Sequence, residues 1–240
     1  MNLTEELLAS ALPESTHDRL QYRVVTAEEA VELTGHKHAG WVVQMNGPDG
    51  KPYQWEDGKT FYRLKPATPV PTKDGKTAKY LTAGEAGCRP YLSPLLPKKA
   101  LELGKAIDWT EGEKKADCAN HHGFATIGLS GVDSWRDKRN GRSQPLPELD
   151  DLELLKRTHR IAFDSDIVHK PEVQRAMSAF SVYLADQHAG NVRVTFIPPE
   201  LEGGKNGVDD FIVRHGADAY GVLRQLARQA TEIDKEGNHV

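Results

Sequence analysis

The chain has 240 residues, with 31 Lys+Arg against 35 Asp+Glu and a formal charge of −4, and its mean hydropathy is −0.59. That balance excludes a uniformly basic nucleic-acid coat while allowing a local basic groove, and no apolar run approaches the ~18 residues of a membrane helix. The acidic start Met1-Asn2-Leu3-Thr4-Glu5-Glu6 lacks the layout of a secretory leader, and Cys88 and Cys118 make no disulfide framework. The expectation is a soluble cytoplasmic protein with no membrane partner.

Composition divides the chain near residue 100. Residues 1–100 hold 9 of the 14 prolines. Thr26-Ala27-Glu28-Glu29 reads as a helix start, with Thr26 as N-cap and Glu29 completing a capping box. The runs Trp41-Val42-Val43-Gln44-Met45 and Thr60-Phe61-Tyr62-Arg63-Leu64 read as strands. They lie among the turn signals Gly47-Pro48-Asp49-Gly50, Asp57-Gly58 and Asp74-Gly75, which predicts a small antiparallel sheet. This part is expected to be an N-terminal α+β subdomain.

Residues 101–231 alternate. Ala106 to Thr110 predicts a strand, Gly112 to His122 a helix stopped by Gly123, and Phe124 to Leu129 a second strand. Arg136 to Pro147 is polar and predicts an exposed loop, and Glu148 to Glu153 an acidic, solvated helix start. A third strand, Arg160 to Phe163, ends at Asp164-Ser165-Asp166. Pro171 opens a helix carrying Val173, Ala176, Met177, Phe180 and Leu184 at helical spacing. Asn191 to Ile197 is a fourth strand, and helices near Val208 to His215 and Ala217 to Ala230 follow. Val222, Leu226 and Ala230 are expected in the core of the last one. The alternation predicts an α/β fold, a parallel sheet flanked by helices, and residues 232–240 are expected to be a flexible tail.

Ligands of open parallel sheets bind at the carboxyl ends of the strands. There the sequence puts Thr110-Glu111-Gly112-Glu113-Lys114-Lys115, then Asp164-Ser165-Asp166, then Gly203-Gly204-Lys205-Asn206-Gly207-Val208-Asp209-Asp210. Carboxylates from Glu111, Asp164, Asp166, Asp209 and Asp210 in one crevice would repel one another unless cations neutralise them. An oxygen-only set of this kind suits Mg²⁺ or Mn²⁺. Such ions take phosphate oxygens as further ligands and serve phosphoryl transfer. Lys114 and Lys115 lie on the first turn of a helix, where the dipole disfavours cations. Their place there fits an anionic neighbour such as phosphate.

Glu-Gly after one strand and Asp-x-Asp after a later one resemble the Toprim domain, shared by DnaG-type primases, topoisomerases, OLD-family nucleases and RecR proteins. The string from Thr110 to Ala116, with Gly128-Leu129-Ser130-Gly131-Val132-Asp133-Ser134-Trp135, is similar to the Toprim-like domains of phage and plasmid replication proteins, which often sit beside a helicase. Upstream, Asp49-Gly50, Arg63-Leu64-Lys65-Pro66 and Lys79-Tyr80-Leu81 resemble the small subdomain that precedes Toprim in primases. The resemblance implies a nucleotidyltransferase acting on a single-stranded DNA template with nucleoside triphosphates and Mg²⁺ or Mn²⁺. Under it, Glu111 would be a metal ligand or general acid/base, Asp164 and Asp166 would hold the metal, and Asp209 or Asp210 would complete the site. Arg63, Lys79, Gly112, Lys114, Lys115 and Lys205 would contact nucleotide phosphates or template. Lys115 stands where many primases have an acidic residue, and no zinc-ribbon cysteine set is present.

Two other readings stand beside this one: a metal-dependent nuclease of the OLD type, and a non-catalytic nucleotide or nucleic-acid binding module. Gly58-Lys59-Thr60 and Gly75-Lys76-Thr77 lack the earlier glycine of a phosphate loop, since Tyr53 and Val70 hold that position. Cys118, His121 and His122, like His36 and His38, read as structural residues rather than zinc ligands, and Tyr80 and Tyr91 as packing residues.

Overall fold

The structure, a computed structural model, describes residues 2–55, 58–72, 75–83, 87–102, 104–139, 141–201 and 203–230. The expected tail 232–240, and Asp57 and Asp74 of the expected turns, lie outside the described residues.

The elements run α1 (Leu3–Leu8), β1 (Tyr22–Val25), α2 (Ala27–Thr34), β2 (Gly40–Gln44), β3 (Tyr62–Pro66), β4 (Val70–Pro71), β5 (Thr77–Ala78), β6 (Leu81–Thr82) and β7 (Tyr91–Leu92). Then come β8 (Ile107–Glu111), α3 (Glu113–His121), β9 (Thr126–Leu129), β10 (Arg136–Arg139), β11 (Arg142–Pro145), β12 (Thr158–Ile161), α4 (Pro171–His188), β13 (Asn191–Val194), α5 (Val208–Gln225) and β14 (Arg228–Gln229). The main sheet has the order β14-β13-β12-β8-β9-β7. Its four middle strands are parallel, and β7 and β14 close the two edges antiparallel. A second, antiparallel sheet has the order β1-β2-β3-β6. The α/β fold, with a mostly parallel sheet between helices, is the one the alternation predicts.

Local signals act as expected at several ends. Thr26 and Glu29 form the reciprocal capping box of α2. Gly123, at φ +83°, follows α3. Along α4, Val173, Ala176, Met177, Phe180 and Leu184 are all buried. Val173, Met177, Phe180 and Leu184 join Trp109, Ile127 and Ile161 of the sheet in the largest core cluster.

Helix α3 has both faces covered. Ala116 packs with Trp41, Val43, Met45 and Tyr91. Cys118 and Ala119 pack with Leu7, Leu12 and Leu20 of the N-terminal segment and Phe211, Ile212 and Tyr220 of α5. This double burial brings the small antiparallel sheet against the carboxyl edge of the large one.

Four expectations change. Arg136 to Pro147 is a paired ribbon, with Arg136 opposite Pro145 and Arg139 opposite Arg142, because Gly141 at φ +74° supplies the turn. The acidic run at 148–153 starts no α-helix: a single tight turn spans Pro147–Leu149, and Leu149 on it and Leu152 after it are buried. The last helix ends at Gln225, and the chain pairs as β14 with β13. Val222 and Leu226 are 53% and 68% exposed, so only Ala230 of that trio packs on the core. Among the described residues no helix is long and apolar enough to cross a membrane.

Candidate active site

Glu111 is the last residue of β8, and Gly112, at φ +96°, turns the chain into α3. Asp164 and Asp166 follow β12. Lys205 lies in the loop between β13 and α5. The three carboxylates surround one ammonium: Lys205 Nζ lies 2.8 Å from Asp164 Oδ2, 3.4 Å from Asp166 Oδ2 and 4.0 Å from Glu111 Oε2. The other oxygen of Asp164 is held by Lys115 Nζ at 2.5 Å. Lys170 caps the rim at 2.7 Å from Asp166 Oδ2.

Burial sets the electrostatics. The Asp164 side chain is 2% exposed, and those two ammoniums are its ion-pair partners. Burial works against the Asp166 carboxylate, but Lys170 and Lys205 together hold it below the usual range. Burial likewise disfavours the Lys205 ammonium, yet its bond to Asp164 and the charges of Glu111 and Asp166 raise it above its ordinary value.

Gly207 precedes α5 and forms the floor of this crevice. A Cβ there would lie 2.6 Å from Lys115 Cε, 3.0 Å from Asp164 Oδ1 and 3.2 Å from Asp209 Oδ1. Asp209 is therefore in the crevice; its Oδ2 accepts from Ser10 Oγ at 2.8 Å, and its buried Oδ1 has no hydrogen-bond partner. Asp210 turns away and accepts from the Gly207 N–H at 3.0 Å, closing the first turn of α5.

The sequence-expected cations divide. Lys115 and Lys205 meet the carboxylates directly. Lys114 faces Glu6 at 3.6 Å, and burial and the nearby Lys65 ammonium push it down. The anionic neighbours of Lys114 and Lys115 are thus carboxylates of the chain itself. Arg63 pairs with Glu113, donates to the Ser130 carbonyl at 3.4 Å and stacks over Tyr80 with 4.9 Å to the ring centroid. Lys79, the residue before Tyr80, is exposed. Glu113 has no role in the sequence reading, although it lies two residues after Glu111. Its one signal is a carboxylate in the first turn of a helix. Ser10 and Glu6 carried no signal, because they lie in an N-terminal segment with no motif; Ser10 meets Asp209 in the crevice, and Glu6 meets Lys65 and Lys114.

Among the described residues, no three His, Cys, Asp or Glu side chains are close enough to hold an ion as they stand. The donor set nonetheless fits a hard divalent cation. It is oxygen-only, comes from separate strand ends, and is already gathered round a cationic nitrogen that stands where an ion would.

A family model described as a domain of unknown function, DUF3854, matches residues 102–219. A protein of Picosynechococcus sp. described as uncharacterized is 34% identical over 117 residues, covering 46% of this chain. The chain spans 12% of that relative's length. Among solved structures, the fold is similar to a DnaG primase catalytic domain bound to ssDNA (TM-score 0.61, 11% identity, 95% of this chain and 72% of that one). It is also similar to the zinc-binding and RNA polymerase domains of Aquifex aeolicus primase (TM-score 0.59, 12% identity, 93% of this chain and 55% of that one). The RNA polymerase domain of Mycobacterium tuberculosis primase DnaG matches with TM-score 0.58 at 14% identity, over 95% of this chain and 76% of that one. At these identities the likeness is one of fold.

Proposed function

We propose that the chain is the catalytic core of a primase-like nucleotidyltransferase, which joins nucleotides along a single-stranded DNA template with Mg²⁺ or Mn²⁺. The observation that carries this reading is the gathering of Glu111, Asp164 and Asp166 round one cationic point, at the carboxyl edge of a sheet with the fold of primase catalytic cores. A divalent ion bound there would neutralise the triphosphate and acidify the attacking 3′-hydroxyl. Glu111 is the most exposed of the three carboxylates, at 31%, and in this reading it would accept the proton from that hydroxyl. Lys205, half exposed, can turn from the carboxylates to a phosphate, and Lys79 can meet the template backbone. Residues 1–100 would then serve template and nucleotide contacts, and residues 101–231 the metal. By resemblance, the reading extends to phage or plasmid replication in the cytoplasm beside a helicase.

The test is template-directed synthesis. Single-stranded DNA, labelled nucleotides and Mg²⁺ or Mn²⁺ are combined with the wild type and with Glu111→Gln and Asp166→Asn. Metal-dependent products from the wild type, reduced about a hundredfold or more in either variant, are expected. Metal-dependent nicking without synthesis would assign a nuclease instead. Binding of single-stranded DNA that persists without metal, with no product, would leave a binding module.

A further inference from the structure

The two lysines in the acidic crevice are held differently. Lys115 projects from α3, its side chain is 19% exposed, and its Cε packs over Gly207, 2.6 Å from where a Cβ on that glycine would stand. Beside it the buried Asp209 Oδ1, without a partner, faces the same glycine. Lys205 comes from a loop, its side chain is 49% exposed, and it touches all three carboxylates without being enclosed. One ammonium is built in, and the other can leave.

We propose that the crevice has one permanent and one exchangeable cation position: Lys115 stands as a fixed cation between Asp164 and Asp209, and Lys205 is a plug that a single divalent ion displaces. The chain therefore binds one Mg²⁺ or Mn²⁺, in competition with its own lysine. Neutralisation that would otherwise need a second ion is covalently attached. The inference rests on the functional reading only in taking the crevice to accept a divalent ion.

The test is a Mn²⁺ titration of the full chain, followed by the electron paramagnetic resonance signal of the free ion. The wild type is compared with Lys205→Met, Lys115→Met and, as the control for a lysine that meets only Asp166 at the rim, Lys170→Met. One ion per chain is expected for the wild type. Lys205→Met should bind the same single ion about tenfold tighter, the effect of losing one competing ammonium with several weak ion pairs. Lys170→Met, which removes a rim charge, should change affinity by less than about threefold. Lys115→Met should gain a second, weaker ion. Two equivalent ions on the wild type, no ion on any form, or Lys205→Met binding no tighter than Lys170→Met overturns the proposal. A folded Lys115→Met that still binds one ion overturns the role of Lys115, and if that variant does not fold, the Lys205 and Lys170 pair still decides. Failure of synthesis with the expected Mn²⁺ pattern removes the enzymatic reading alone. Synthesis without that pattern removes this inference alone.

Discussion

Asp117 lies on α3 with no solvent contact, and its oxygens accept from Tyr22 Oη at 2.6 Å and Tyr91 Oη at 2.9 Å. Burial is the main cause that raises its carboxyl to about 7, with Glu113 adding to it, although hydrogen bonds from Ser93 and the two tyrosines pull the other way. A raised carboxyl means that the folded chain keeps a proton which the unfolded chain releases above its ordinary value of 3.8. The stability tied to this proton is fully present below that value and is lost as pH climbs through about 7. The difference between wild type and Asp117→Asn should therefore be pH-dependent. The asparagine chain should gain several degrees in melting temperature relative to wild type between about pH 5 and about pH 8; a constant difference across that range would refute the assignment. Arg63 and Glu113 make a second residue-scale case, since both side chains are under a tenth exposed. Arg63→Met should cost about 3–5 kcal/mol because it leaves a buried carboxylate alone, and adding Glu113→Met should restore much of that loss. Urea denaturation of the two single variants and the double variant measures the coupling. Glu111, Asp164 and Asp166 were legible because their positions follow apolar strand runs. The partners Glu113, Ser10 and Lys65 were not, since their meaning depends on which surfaces dock.

At the scale of elements, α5 is two helical pieces joined at Gly216, whose φ of 84° and ψ of 162° leave the helical region. The bend lets Phe211 and Ile212 before it and Tyr220 after it enter the same core cluster. It also lets Arg224 reach back to the fully buried Asp108 of β8, with contacts of 2.5 and 3.0 Å. Gly216→Ala forces a Cβ into a conformation reserved for glycine and should lower stability by about 2 kcal/mol. Hydrogen exchange should show the loss concentrated in the amides after residue 216, and uniform loss along α5 would mean that the bend does not position the second piece. The break was readable, because Gly216 interrupts the helical spacing and two helices were expected there. The end of the second piece was not. Val222 and Leu226 continue an apolar spacing yet face solvent, because the helix turns that face outward while Arg224 and Tyr220 take the buried side. Polar composition hid the β10–β11 ribbon, since a polar hairpin has no apolar face to give it a period of two. The parallel strands were legible by burial of one kind or the other: β8 and β9 are buried along nearly their whole length, whereas β12 and β13 alternate, with Ile161, Val192 and Val194 turned into the core.

For the molecule as a whole, the compositional boundary near residue 100 does not coincide with a gap in packing. Strand β7 lies before it and joins the large sheet beside β9. The buried guanidinium of Arg157 is hydrogen-bonded to the carbonyls of Ala100, Leu101, Lys105 and Glu153, which pins the crossing segment to the sheet. Further back, Leu7, Leu12 and Leu20 are 2%, 0% and 0% exposed and sit in the cluster that holds α5. At about 2 kcal/mol for each buried leucine, removing residues 1–20 forfeits about 6 kcal/mol, a large part of the 5–15 kcal/mol that holds a domain together. It also removes Ser10 from Asp209 and Glu6 from Lys65 and Lys114. The N-terminal segment is thus part of the structure that shapes the crevice, and a chain starting at residue 21 should fail to give a cooperative melt. The intact chain should unfold in one step. Trp41 reports on the small sheet and Trp109 on the large one, and both are fully buried. Fluorescence melts of a variant that keeps Trp41 as its sole tryptophan and of one that keeps Trp109 should each share one midpoint with the far-ultraviolet circular dichroism of the same variant. Two separated midpoints would show that the sheets hold together independently, and the crevice at the edge of the large sheet would then keep its shape without the small one.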